Sequence, residues 1–192
     1  MRTNTKVVHL VVSVTVMWAL AACSPASAHV EADAVSNLQL VYGEGPEVIE
    51  DAYPEAGNLR VYWFWSAFSQ CSRRAEPGIK AVVEAHPQVE IIVVHSNADE
   101  SAEVGEKAAA DRQLAAPLYR DDGARLAMTF GATITPEVVV VDGEDVIYRG
   151  RPIRFDGREM ESFVEAAIDA WKQGVDVEPA HRRPSGCVIR RP

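Results

Sequence analysis

The strongest constraint on the fold lies between residues 59 and 77, where a hydrophobic run ends abruptly at a polar turn that carries a cysteine. Leu59–Trp65 places Val, Tyr, Trp and Phe close together, a composition typical of a strand buried on both faces of a sheet. A helix that begins near Ser69 would hold Cys71 in its first turn, where free backbone N–H groups and the helix dipole favour a thiolate. The alternative is that Cys71 is a small buried residue without chemistry, as most free cysteines are. The segment therefore predicts a strand-to-helix junction with a candidate reactive thiol.

Further β-rich runs alternate with helical patterns after this junction. Apolar residues recur at helical spacing after Cys71 and again near the end of the chain, while Val89–His95 and Glu137–Asp142 are rich in β-branched residues. A turn at 143–145 joins the second of these runs to residues 146–149 as a hairpin. This order predicts an α/β fold with a central mixed sheet and helices on both faces. In such sheets reactive groups collect where strands end and helices begin.

The N-terminus has the pattern of an export signal. Arg2 and Lys6 precede an uncharged apolar run. The run ends in Leu20-Ala21-Ala22-Cys23, which resembles the lipobox of bacterial lipoproteins. This resemblance implies a signal peptide over residues 1–22 and a lipid on Cys23 that anchors the chain on the periplasmic side of the cell envelope.

Two alternatives to lipidation remain open. Cleavage after Ala26-Ser27-Ala28, an A-x-A site, would release a secreted or soluble periplasmic protein. Retention of the segment as a membrane anchor fits less well, because about 16 apolar residues fall short of the ~20 that a spanning helix needs. Export would bring the chain into an oxidising compartment, where cysteines can pair.

Charge and composition limit the partners and outline the chain. The net charge of −9 argues against nucleic acid as a partner. Residues 23–57 are rich in Ala, Glu, Pro and Gly and are interpreted as a tether and an entry segment. Within them, residues 37–43 have the pattern of an edge strand.

Several short motifs, in a fixed order, carry a resemblance to a known family. They are Phe64-Trp65, Pro77, Thr135-Pro136, Tyr148-Arg149-Gly150-Arg151 and the ending Pro184-Ser185-Gly186-Cys187-Val188-Ile189-Arg190. The set resembles the thioredoxin fold, and more narrowly the exported redoxins of the alkyl hydroperoxide reductase and peroxiredoxin-like branch. The resemblance implies a thioredoxin-like domain over residues 58–174 and a C-terminal tail over 175–192 with a Gly-Cys-x-Ile motif.

The same resemblance implies an oxidoreductase or antioxidant protein that uses no cofactor and acts on thiols or disulfides of partner proteins. It further implies that the Thr135-Pro136 peptide bond is cis and that Pro136 faces the redox cysteine. The chain departs from the family pattern at the redox motif itself. A Cys-x-x-Cys pair would fall on Ser69-Gln70-Cys71-Ser72, so that serine occupies both motif positions and Cys71 lies between them. The Pro-x-x-x-Thr-x-x-Cys pattern of true peroxiredoxins is absent, which argues against peroxidase activity.

The first functional hypothesis is a thiol-disulfide oxidoreductase with Cys71 as nucleophile. A dithiol enzyme needs a second sulfur, and Cys187, in a tail flexible enough to reach back, is the candidate resolving residue. Arg73 and Arg74 would lower the pKa of the Cys71 thiol if they lie close to it, although both also fit a solvated helix face. A purely structural Cys71–Cys187 disulfide would use the same pair without catalysis.

Two further hypotheses involve no thiol chemistry. A binding module that has lost its cysteine pair could present Trp63, Trp65 and Phe68 to a protein client, although the two tryptophans also fit the core. A metal site is suggested more weakly by His95, His181 and Cys187, which lack the close spacing of known ligand motifs. The prediction for the proposed oxidoreductase itself is that it holds no metal.

Overall fold

The computed structural model describes residues 38–49, 51–156 and 159–192. The predicted signal peptide, Cys23 and the start of the tether lie outside these residues. The strands are β1 (Leu38–Tyr42), β2 (Val48–Ile49), β3 (Leu59–Trp65), β4 (Glu90–His95), β5 (Leu118–Asp121), β6 (Ile134–Thr135), β7 (Glu137–Asp142), β8 (Asp145–Gly150), β9 (Ile153–Asp156), β10 (Glu159–Ser162), β11 (His181–Arg182) and β12 (Cys187–Val188). The helices are α1 (Gln70–Ala85), α2 (Ala102–Arg112), α3 (Arg125–Thr129) and α4 (Phe163–Lys172).

Strand β3 lies near the middle of an eight-stranded mixed sheet. The strand order is β11-β8-β7-β3-β4-β5-β1-β2, in which β3 is parallel to β4 and antiparallel to β7. Val61, Trp63 and Trp65 point to the core formed with α1, α2 and α4, whereas Tyr62 and Phe64 point to the core formed with α3. The predicted fold class, a mixed sheet with helices on both faces, is confirmed. A strand with helices on both sides is apolar at nearly every position, which is why this run, apart from Arg60, shows no alternation.

Short strands at both ends of the described chain extend this unit beyond residues 58–174. β1 pairs antiparallel with β5, and β11 pairs parallel with β8, so the entry segment and the tail both join the sheet. β12 pairs with β6 in a separate two-stranded sheet. β1 lies within the predicted edge strand at residues 37–43, with the short β2 on its outer side. β2, β11 and β12 have two residues each, too few for a periodic pattern to predict them. None of the helices described is long and apolar enough to cross a membrane.

Candidate functional site

Three serine hydroxyls organise the turn between β3 and α1. Ser69 is the N-cap residue of α1, and its Oγ accepts a hydrogen bond from the Ser72 amide at 3.1 Å. The Ser72 Oγ accepts from the Ser66 amide at 3.2 Å, and the Ser66 Oγ accepts from the Ser69 amide at 3.2 Å. All three side chains are buried. The predicted helix start is confirmed, and the two serines at the motif positions act as capping groups that fix the turn.

Cys71 lies in the first turn of α1 and is exposed, which contradicts the alternative of a buried inert residue. Partial removal from water raises the pKa of its thiol above the ordinary value, and the neighbouring Cys187 sulfur raises it further by its charge and a hydrogen bond. Arg74 opposes this rise but does not overcome it. Arg74 thus lowers the pKa of Cys71, as expected of an arginine close to the thiol, whereas Arg73 is not among the groups that shift it, and the net shift is upward. A second sulfur beside a thiolate is a like charge, which disfavours ionisation.

The C-terminal tail brings Cys187 to this turn. Strand β12 runs antiparallel to β6, with Cys187 opposite Thr135 and Val188 opposite Ile134. The Ser69 hydroxyl donates a hydrogen bond to the Cys187 Sγ at 3.0 Å. Both Cys71 and Cys187 are free thiols in the structure.

The tail is held on both sides of Cys187 rather than being a flexible appendage. The Ile189 side chain is buried in the core on the α3 face, and its amide donates to the Thr133 carbonyl at 2.9 Å. The Arg190 amide donates to the Asn97 Oδ1 at 2.8 Å. Before the cysteine, Gly186 passes so close to the Thr135 carbonyl oxygen that a Cβ would lie 2.1 Å from it.

The Thr135-Pro136 peptide bond is cis, as the resemblance implied, and Pro136 lines a cavity together with Cys71. Glu137, the residue after Pro136, fixes the segment that carries the cis peptide bond. Its buried carboxylate accepts from the Thr133 amide at 3.0 Å and from Arg149 at 3.2 Å. The structure therefore brings together five of the predicted site residues, which are Cys71, Cys187, Ser69, Thr135 and Pro136.

Glu100 is a buried carboxylate whose hydrogen bonds support the turn between β3 and α1, and sequence patterns alone do not reveal it. Glu100 is only 2% exposed and accepts hydrogen bonds from the Ala67 amide at 2.8 Å and from Asn97 at 3.1 Å. The Ser66 hydroxyl also donates to it, and the His95 Nε2 lies 2.8 Å from its second oxygen. Burial by itself raises the pKa of Glu100, but the hydrogen bonds from His95, Ser66 and Ala67 outweigh it and lower the pKa to about 2.

No sequence pattern distinguishes Glu100 from a solvated acid, because it lies in the polar loop after β4. The one local signal was His95 at the end of a buried strand, since a buried imidazole needs a polar partner. The metal-site hypothesis assigns His95 a different partner set, His181 and Cys187. Within residues 38–49, 51–156 and 159–192, no three His, Cys, Asp or Glu side chains are grouped so that they could hold a metal ion.

The aromatic residues near the site divide into two groups. Trp63 and Trp65 are fully buried in the core, which contradicts the hypothesis that they contact a client. Phe68 is 67% exposed, and Val188, next to Cys187, is 68% exposed. These two apolar side chains line a cavity of about 540 Å³ that also includes Cys187 and Ser69.

Solved structures share this architecture at low sequence identity. An uncharacterized conserved protein from Geobacillus kaustophilus has a TM-score of 0.67 at 22% identity, with 81% of this chain and 88% of that chain covered. A hypothetical protein from Sinorhizobium meliloti has a TM-score of 0.62 at 18% identity, with coverages of 73% and 90%. A thioredoxin candidate from Neisseria meningitidis has a TM-score of 0.50 at 16% identity, with coverages of 61% and 77%. No protein-family model and no curated protein matches the chain. The fold is thioredoxin-like.

Proposed function

We propose that this chain is a thiol-disulfide oxidoreductase in which Cys71 attacks the substrate and Cys187 resolves the mixed disulfide. The observation that carries the proposal is the pairing of β12 with β6, which holds Cys187 beside Ser69 and Cys71 at the start of α1. Thiol-disulfide exchange needs an accessible thiol and a second thiol within reach of it. Cys71 supplies the first and the tail supplies the second.

The thiol-disulfide exchange proceeds in two steps. The Cys71 thiolate attacks one sulfur of a disulfide, forms a mixed disulfide with it and releases the other sulfur as a thiolate. The Cys187 thiolate then attacks the Cys71 sulfur, which closes a Cys71–Cys187 disulfide and releases the second substrate thiolate. Two electrons pass from the protein to the substrate, and the reverse sequence oxidises a dithiol.

We place this activity in the cell envelope, on protein thiols or disulfides. The export pattern and the lipobox-like Leu20-Ala21-Ala22-Cys23 support a lipid-anchored protein. We assign the chain to the peroxiredoxin-like branch on the ordered set of short motifs that ends in Gly-Cys-x-Ile, from whose usual Cys-x-x-Cys pair Ser69 and Ser72 depart. Cleavage after Ala28 would give the same activity without the anchor.

The proposal is tested by the reduction of insulin with dithiothreitol as the electron source. We expect Cys71→Ser to abolish turnover and Cys187→Ser to slow it. When reduced Cys187→Ser is freed of dithiothreitol and mixed with insulin, it should stop at a mixed disulfide that is visible by mass spectrometry. Glu106→Gln, at an exposed position of α2 that does not belong to the site, is the control and should retain full activity. Equal turnover in the wild type and Cys71→Ser would refute the proposal.

The reactivity of Cys71 should also follow its raised pKa. At pH 7, alkylation of Cys71 by iodoacetamide should be slower than that of an unperturbed cysteine with a pKa of about 8.5, because less thiolate is present. In Cys187→Ser the alkylation rate of Cys71 should begin to rise at a lower pH than in the wild type. The substitution removes the Cys187 sulfur, which is one cause of the raised pKa of Cys71. Peptide mapping by mass spectrometry at a series of pH values measures both. A pH profile that Cys187→Ser leaves unmoved would show that the two thiols do not interact.

A binding module without turnover is the second candidate, and the exposure of Phe68 and Val188 beside Cys187 favours it. Under this hypothesis a client would be retained by the wild type and by Cys71→Ser alike, and Phe68→Ser would release it. Pull-down with a purified client distinguishes the two functions, because a mixed disulfide disappears with Cys71 whereas an apolar contact does not.

A further inference from the structure

Three arginines line the cavity beside Cys71, and none of the described residues that line it is acidic. It has a volume of about 220 Å³ and includes Pro136 and Ser185 on the side of the tail. Its remaining wall comes from α1 and from the segment around β9. The basic and aromatic residues that line it are Arg74, Arg151, Arg154 and Phe155.

The cavity is locally positive, whereas the whole chain is acidic, with a net charge of −9. Arg154 is the one cavity arginine with a carboxylate partner among the described residues, Glu161, at 2.7 Å. Arg74 lies over the Phe155 ring at 5.5 Å from its centroid. Neither Arg74 nor Arg151 forms an ion pair within the described part of the chain. The guanidinium groups of both are therefore available to an anion.

We propose that this cavity binds a carboxylate of the disulfide that Cys71 attacks, and so selects carboxylate-bearing disulfides as substrates. The inference rests on the proposed function and names the substrate class of the same site. Arginine pairs with carboxylates through strong, directional hydrogen bonds, and Phe155 and Ile153 offer an apolar surface to the methylene groups between carboxylate and sulfur. The small volume fits one arm of such a molecule, with its disulfide at Cys71.

Binding of the carboxylate would hold the substrate sulfur close to the thiolate. The Cys71 thiolate attacks that sulfur, a Cys71 mixed disulfide forms, and a carboxylate-bearing thiolate leaves. Cys187 then displaces the second carboxylate-bearing thiolate and closes the protein disulfide. Positioning a reactant in this way accelerates its attack without any change in the chemistry of the sulfur.

The test compares three small symmetric disulfides of different charge: dithiodipropionate as the dianion, hydroxyethyl disulfide as the neutral compound and cystamine as the dication. With the fully reduced protein, we expect the dianion to react about tenfold faster than the neutral compound, and the dication to react more slowly still. The preference should shrink as salt is added, because the charges at this open cavity are screened. Each rate is compared with the reaction of a free cysteine peptide, which corrects for intrinsic reactivity.

Two double variants, each with one substitution on α1, identify the cavity as the cause. Arg74→Gln combined with Arg151→Gln should bring the dianion and the neutral compound to nearly equal rates. Arg73→Gln combined with Arg183→Gln is the matched control, since it removes the same charge from two exposed positions that do not line the cavity, and should keep the preference. Thermal unfolding confirms that both double variants are folded.

The carboxylate site and the oxidoreductase activity can fail independently in these experiments. Equal corrected rates for all three compounds would overturn the carboxylate site and leave the oxidoreductase standing. In the double variant Cys71→Ser, Cys187→Ser, calorimetry should still detect binding of dithiodipropionate and not of cystamine. Failure of reaction together with this binding would overturn the oxidoreductase alone. A peptide disulfide flanked by glutamates, compared with one flanked by lysines, distinguishes an acidic protein segment from a small molecule as the source of the carboxylate.

Discussion

Glu100→Ala should lower the free energy of unfolding by about 3–5 kcal/mol, because several buried donors lose their acceptor at a cost of about 1–3 kcal/mol each. The substitution would leave the Ala67 amide, Asn97 and His95 without their shared acceptor in a buried site. Buried donors without an acceptor cost free energy because water cannot replace the lost partner. Urea unfolding followed by circular dichroism measures the loss. Glu106→Gln, on an exposed position of α2, is the control and should change stability by less than about 0.5 kcal/mol.

The pH dependence of Glu100→Gln tests the same network through its charge. The folded pKa of Glu100, about 2, lies below that of an unfolded glutamate, so its contribution to stability is fully present above about pH 5 and is lost as the pH falls towards 2. The contribution at neutral pH is on the order of 2–3 kcal/mol. The wild type should therefore lose stability on acidification more steeply than Glu100→Gln. Parallel acid profiles for the two proteins would show that Glu100 is not a strongly stabilised carboxylate.

Gly186→Ala should slow the formation of the Cys71–Cys187 disulfide by about 100-fold, since a displacement of about 1 Å at a reacting group has an effect of this size. The new Cβ would meet the Thr135 carbonyl oxygen at 2.1 Å and its carbon at 2.8 Å, and both are backbone atoms that cannot rotate away. Strand β12 must then move off β6, and Cys187 moves with it. Stopped-flow oxidation of the reduced protein, followed by mass spectrometry, measures the rate.

Val188→Ala in the same strand is the matched control for this prediction. Its side chain is exposed and the backbone pairing with Ile134 is kept, so the rate of disulfide formation should stay at the wild-type value. If Gly186→Ala closes the disulfide as fast as the wild type, Cys187 does not depend on the pairing of β12 with β6 to reach Cys71. The thermal transition of both variants should remain cooperative, because the core formed by β3 and its neighbours does not include these two residues.

The sequence determined the centre of the fold because that information is local. Leu59–Trp65 is apolar at nearly every position, and only a strand covered on both sides accommodates this. Ser69 as the N-cap and Cys71 in the first turn of α1 follow from capping chemistry within four residues. The alternation of strands and helices then restricts the topology to a small number of α/β sheets.

Only the tertiary structure decided what surrounds Cys71. Cys187 reaches it through a two-residue strand whose partner, β6, lies about fifty residues earlier in the chain, and no local pattern encodes such a pairing. The raised pKa of Cys71 has the same origin, since partial burial and Cys187 are both properties of the folded chain. Glu100, Arg151 and Arg154 follow the same rule. Charged residues in loops and edge strands look solvated in any sequence, and only packing determines which of them becomes buried or faces a thiol.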